Sequence, residues 1–287
     1  MRVDRPRPLH NPADLLRDRL VRQVRAVFND QAAGEQPVPV SDDALFARDT
    51  PIRLVHADIV AMMVGGIRSL LLQMLHPHAL QGVLDHSNFR EDMQGRLRRT
   101  ARFIAVTTFA HRDEAQAAIA RVNRIHEQVR GTLPDGTPYS ARDPRTLAFV
   151  HLAEAESFLL AYRRFVQPAM PRRDQDEYFR QFAQVARALG ADPVPETRAE
   201  AEALMHAMRG ELRGSAAARE IARLVLQDSA ATGAEAVQHI LGTAAVDLLP
   251  PFARAQLGLA APGITALPAR LATGAMAGTL RWAFRQR

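Results

Sequence analysis

Apolar positions recur every three or four residues along most of this chain, the period of helices that bury one face. Leu16, Leu20, Val24 and Phe28 form such a stripe over 13–28. The stripe predicts an amphipathic helix with basic flanks, packed on the body, with a peripheral membrane contact as the alternative. Residues 34–49 carry two prolines and read as a linker. Thr50 and Pro51 then supply the cap and first position of a helix that runs through an apolar segment to Leu75 and is interrupted by Pro77. Gly65 and Gly66 lie in its middle, at a cost of roughly 1 kcal/mol each relative to alanine. Close packing against a partner helix is the expected compensation, and a flat ligand on bare backbone is the alternative. Pro77 restarts a short helix to Asp85, with a turn at His86-Ser87-Asn88. Further helices are predicted over 95–109, through 118–130 from an N-cap at Asp113, over 145–165 from a cap at Asp143-Pro144, and over 174–189, 199–209, 215–228, 234–248 and 268–287. Gly131, Pro134, Asp135-Gly136 and Pro138 punctuate a compact loop or small hairpin. Strand signals are nearly absent. The fold class is therefore all-α, a single multi-helix globular domain over 50–250 with an N-terminal arm (1–49) and a basic helical extension (251–287).

Some inward stripes carry polar residues where a plain core helix would not. Ile119, Val122, His126 and Val129 share the seam of one helix, so the His126 imidazole is expected to point inward. Arg130, four residues on, shares part of that face. A nitrogen ligand and a permanent cation in one interior suit an anionic, metal-containing cofactor such as haem. For a lone histidine on an apolar face, the commoner outcome is a hydrogen-bonded core residue, here with Arg130 reaching the surface. On the helix after the hairpin, Leu147, His151, Glu154, Phe158 and Tyr162 line one stripe, a histidine with a carboxylate one turn beyond it. Arg96, Thr100, Phe103 and Thr107 share a face of the 95–109 helix, with Arg99 beside them, and suggest a polar spot in an apolar cavity. His76, His78 and His86 fall within eleven residues. Their spacing around Pro77 does not fit a helical zinc motif, and lining a pocket is the better reading. No Glu-x-x-His occurs, so a di-iron bundle is not indicated.

Composition narrows the chemistry. The chain has 287 residues, 47% of them hydrophobic, which accommodates one large helical domain. It has no cysteine, which excludes disulfides, iron–sulfur clusters and thiolate-ligated haem. All 37 basic residues are arginine, which removes Schiff-base and P-loop lysine chemistry. The net charge of +6 is spread along the chain among acids, so no nucleic-acid partner is expected. The N-terminus lacks an apolar export core, and Ile59 to Leu75 is too short and too broken for a spanning helix. A cytoplasmic protein without a transmembrane segment is the expectation.

The run LLQMLHPHALQGVLDHSNFREDMQGRLRRTARFIAVTTF, followed by RVNRIHEQVRGTLPDGTPYSARDPRTLAFVHLAEAESFLLAYRRF, resembles the family that joins the fungal MpaB oxygenase and bacterial latex-clearing protein, the rubber oxygenase. The resemblance spans roughly 50–250. It implies an all-helical body around a central cofactor-sized cavity holding haem b. His126, with Arg130 four residues on, matches the helix that supplies the proximal iron ligand. Arg96, Arg99 and Thr100 match a distal segment that bears on catalysis, with Arg99 replacing the family's lysine. A guanidinium is bulkier and far less ready to lose a proton than an amine, so an equivalent distal ligand is in question. His151 matches a further family histidine near the cofactor. The implied partners are O2 and a small lipophilic substrate, and the implied reaction is oxidation, or oxidative cleavage, of an isoprenoid-like alkene. Two other readings stay open from the residues: a non-enzymatic helical module that binds a lipid or a partner protein, and a non-haem metal site built from His126, His151 and Glu154.

Overall fold

Asp58 divides the first apolar run. In the computed structural model, which describes residues 34–87, 92–227, 234–260, 271–275 and 278–279, Thr50 is extended and Pro51 opens α1 (Pro51–Ala57). The Asp58 carboxylate accepts a hydrogen bond from the Ala61 N–H at 2.9 Å and starts α2 (Ile59–Gln73). The two helices bend by 88° where one continuous helix was expected. An aspartate is a strong N-cap, and here it overrides the apolar continuity on either side. Among the described residues, no single helix is long and apolar enough to cross a membrane.

The remaining elements follow as α3 (Pro77–His86), α4 (Met93–Phe109), α5 (Arg112–Gln128), β1 (Arg130–Thr132), β2 (Pro138–Ser140), α6 (Pro144–Phe165), α7 (Arg172–Ala188), α8 (Arg198–Met208), α9 (Ala216–Gln227), α10 (Ala234–Leu248) and α11 (Pro251–Leu257). The two strands pair antiparallel, with Arg130 opposite Ser140. The rest is helix, as the periodicity predicts. Pro251 opens α11, because the first position of a helix has no use for the missing N–H. The predicted helix over 13–28, and most of that over 268–287, lie outside the described residues.

The spine is the contact between α2 and α6. A Cβ added at Gly65 would lie 2.9 Å from the Phe158 Cα and 2.7 Å from its ring, so bare backbone is what lets the helices approach. Gly66 differs. Its nearest neighbour would be a Phe158 ring carbon at 4.0 Å, and it keeps accessible surface. Arg68, an interruption in the apolar run, is 3% exposed and joins three helices. Its guanidinium donates to Ser157 Oγ (2.6 Å) and Glu156 Oε2 (3.3 Å) on α6, and to the Leu248 carbonyl (2.9 Å) at the end of α10. A cation at that C-terminus also meets the negative end of the helix dipole.

α10 packs on α2, α7 packs on α1 and α6, and α4 lies against α5 and α1. Asp143 caps α6 by accepting from the Thr146 N–H at 2.9 Å, as the sequence predicts. α5 begins two residues earlier than an Asp113 cap predicts: the His111 ring accepts from the Asp113 N–H, and Asp113 sits inside the first turn. The hairpin is tied back to α3 by the Tyr139 hydroxyl, which donates to Asp85 at 2.6 Å.

Candidate functional site

Polar side chains from six helices meet inside this body, beside the spine. His126 occupies the last turn of α5 on the same stripe as the buried Ile119 and half-buried Val122. Its Nδ1 is enclosed and has no hydrogen-bond partner. Burial, and after it the Arg96 charge, lowers its pKa, so the ring is neutral at neutral pH. Arg96, on α4, donates to Ser87 Oγ at 3.2 Å. Its charge is felt on one side by His126 and on the other by Glu154 of α6.

Glu154 is the unusual acid. Burial pushes its pKa up to about 7, while the Gln73 side chain at the end of α2 and the Arg96 charge pull it back. Arg96, His126 and Glu154 share one property: each lies deep in the protein yet keeps accessible surface. On α2, Ile59, Met63, Gly66 and Gln73 are half-buried along one stripe of a helix otherwise nearly sealed. Leu147, Val150 and Glu154 repeat the pattern on α6.

Behind Glu154 lies a drier group. His151 is 7% exposed, its Nε2 has no partner, and burial lowers its pKa to about 3. Its ring meets Phe182 of α7 edge-on at 4.6 Å. His56 of α1 touches the same phenylalanine at 5.0 Å and sits between two hydroxyls, Thr108 Oγ1 at Nδ1 (2.8 Å) and Tyr178 OH at Nε2 (3.3 Å). Burial, then repulsion from His151, holds its pKa at about 3, so the ring is neutral. A neutral imidazole has one N–H and one lone pair, so it donates to one hydroxyl and accepts from the other. Burial, then the Glu154 carboxylate, pushes Tyr178 well above the usual phenol range. No local pattern points to the His56 and Tyr178 pair, whose members are 122 residues apart.

The predicted site residues divide. Arg96 lies close enough to His126 for its charge to act on the ring, while His151 sits one helical turn from Glu154, against Phe182. Arg99 and Thr100 stand on the exposed side of α4, where Arg99 pairs with Asp92 at 3.1 Å. Arg130 requires a correction. α5 ends at Gln128, Val129 turns to extended backbone, and Arg130 enters β1 with its side chain exposed, off the inward face expected of it. His76 is buried and stacked on Phe149 at 5.1 Å, with His78 edge-on at 5.5 Å. His86 is exposed and lies 3.1 Å from the Arg130 carbonyl. Among the described residues, no three His, Asp or Glu side chains converge to hold a bare metal ion, so His126, His151 and Glu154 do not form the non-haem site considered from the sequence.

Residues 53–282 match the family described as ER-bound oxygenase mpaB/B'/Rubber oxygenase, catalytic domain. No curated protein and no solved structure matches the chain.

Proposed function

The chain belongs to the mpaB/rubber oxygenase catalytic-domain family, and on that premise we propose that it is a haem b-dependent oxygenase acting with O2 on an apolar, isoprenoid-like alkene, with cleavage of the double bond as the outcome. The observation that carries the haem is His126. Its imidazole is neutral and keeps accessible surface, while Nδ1 is enclosed and without a hydrogen-bond partner, which leaves Nε2 as the nitrogen to offer a metal. Bound haem b supplies the redox chemistry and a position for O2.

The chain's own residues do the rest. Arg96 brings a fixed positive charge beside His126, suited to an anionic cofactor edge. Side chains that are enclosed yet accessible are what line an internal space, and the half-buried Met63, Gly66 and Val150 give that space an apolar wall for an alkene. His151, Phe158 and Phe182 close its inner side and exclude water. Arg99, Thr100 and Arg130 have no contact with reacting atoms in this reading. The test is oxygen uptake by haemin-loaded protein supplied with an acyclic isoprenoid alkene. Uptake matched by carbonyl products supports the proposal; loaded protein that consumes no oxygen with any alkene overturns it.

A further inference from the structure

An alkene needs no polar partner, yet the half-open stripes end in one. Glu154 is the polar member of the α6 stripe and Gln73 that of the α2 stripe, and the two side chains meet. Around them the stripes are apolar: Ile59, Met63, Leu147 and Val150. A carboxyl group at the end of an apolar surface is unfavourable unless something bonds to it, because a buried polar group without enough partners forfeits its hydration. Gln73 supplies one partner, and it divides its amide with Ser69, to which it donates at 2.9 Å. Glu154 itself keeps accessible surface beyond its contact with Gln73.

We propose that Glu154, positioned by Gln73, is a specificity-determining anchor for a neutral hydroxyl or carbonyl group on the substrate, which makes the preferred substrate an oxygenated isoprenoid and not a plain hydrocarbon. This rests on the oxygenase reading only for the identity of the substrate's apolar part. Charge selects the neutral group. A cationic head would meet Arg96, whose charge reaches Glu154. An anionic head would meet the Glu154 carboxyl itself, which loses its proton near neutral pH. A hydroxyl or carbonyl opposes neither charge: a hydroxyl donates to the carboxylate or accepts from the carboxylic acid, and a carbonyl accepts from the carboxylic acid.

The experiment is calorimetric binding to the full chain of three matched ligands: an acyclic sesquiterpene alcohol, the corresponding hydrocarbon and the corresponding carboxylic acid. The alcohol is expected to bind about ten-fold tighter than the hydrocarbon, the worth of one good hydrogen bond to a buried group. Glu154→Gln, still a hydrogen-bonding side chain, keeps the preference, while Glu154→Leu brings the two ligands to within about two-fold. Gln73→Leu, a second variant outside α6, weakens the preference without removing it. Equal binding of alcohol and hydrocarbon by the native chain overturns the proposal, as does a preference that survives in Glu154→Leu. Tightest binding by the carboxylic acid also overturns it, because Arg96 is then the anchor. Binding is measured without turnover, so a chain that fails to consume oxygen but discriminates these ligands contradicts the oxygenase reading and leaves the anchor standing.

Discussion

The α2–α6 spine and the polar face beside it are built from the same two helices, and they solve opposite problems. Along the spine, Gly65 removes a side chain so that Phe158 can fill the gap, and Arg68 satisfies every partner it reaches. One residue further round the helix, Gly66 also lacks a side chain, and among the described residues the nearest atom to an added Cβ is a Phe158 ring carbon at 4.0 Å. The Glu154 stripe of α6 likewise carries a half-satisfied acid, where its Ser157 neighbour is tied to Arg68. A packed interface stabilises, whereas a half-buried face with unbonded ring nitrogens gains stability from a ligand that bonds to it.

The largest effect that separates the two regions is acid sensitivity behind the polar face. His56 and His151 are both held at about 3 against an ordinary 6.5. A group with a depressed pKa binds fewer protons when folded, so its contribution is present above pH 6.5 and drains away as pH falls towards 3. Urea melts across that range should show a steep loss of stability, and the double variant His56→Phe, His151→Phe should flatten it. Glu154 runs the other way. Its folded pKa of about 7 lies above the ordinary 4.5, so its contribution is full below pH 4.5 and is lost as pH rises through about 7. Glu154→Leu should abolish that alkaline-side decline.

On the spine, Arg68→Ala leaves Glu156 and the Leu248 carbonyl without their shared donor and should cost about 3 kcal/mol in chemical denaturation. Gly65→Ala should cost about 2 kcal/mol, because the new methyl meets backbone and not a flexible tip. The smallest effect sharpens the comparison most. Gly66→Ala should stabilise by up to about 1 kcal/mol, since the site has room and alanine is the better helix former. Equal penalties at Gly65 and Gly66 would show the polar face to be as tightly packed as the spine.

Much of this was legible in the chain. The 3.6-residue period found the helices, and the Gly65-Gly66 pair announced a close approach, though only Gly65 makes it. His126 and His151 were read as inward from their stripes, and both turn in. Three readings failed for local reasons. Asp58 caps a new helix inside an apolar run, so the period ran on across a bend. Val129 kept the apolar rhythm of α5 one residue past its end, which carried Arg130 onto a face it does not share. Thr100 lies four residues from Arg96, yet the helix leaves it exposed. The bond between His56 and Tyr178 was out of reach, because helix packing alone brings α1 and α7 together.

The central claim is that the neutral imidazole of His126, its Nδ1 enclosed and without a partner, holds a metal-bearing macrocycle. Haemin titrated into the full chain and into His126→Ala, followed by absorption spectroscopy, tests it directly. The account predicts a saturating Soret band in the native chain that is absent or shifted in the variant, with far-ultraviolet circular dichroism unchanged. A native chain that stays colourless, or a variant whose Soret band is identical to the native one, would contradict it.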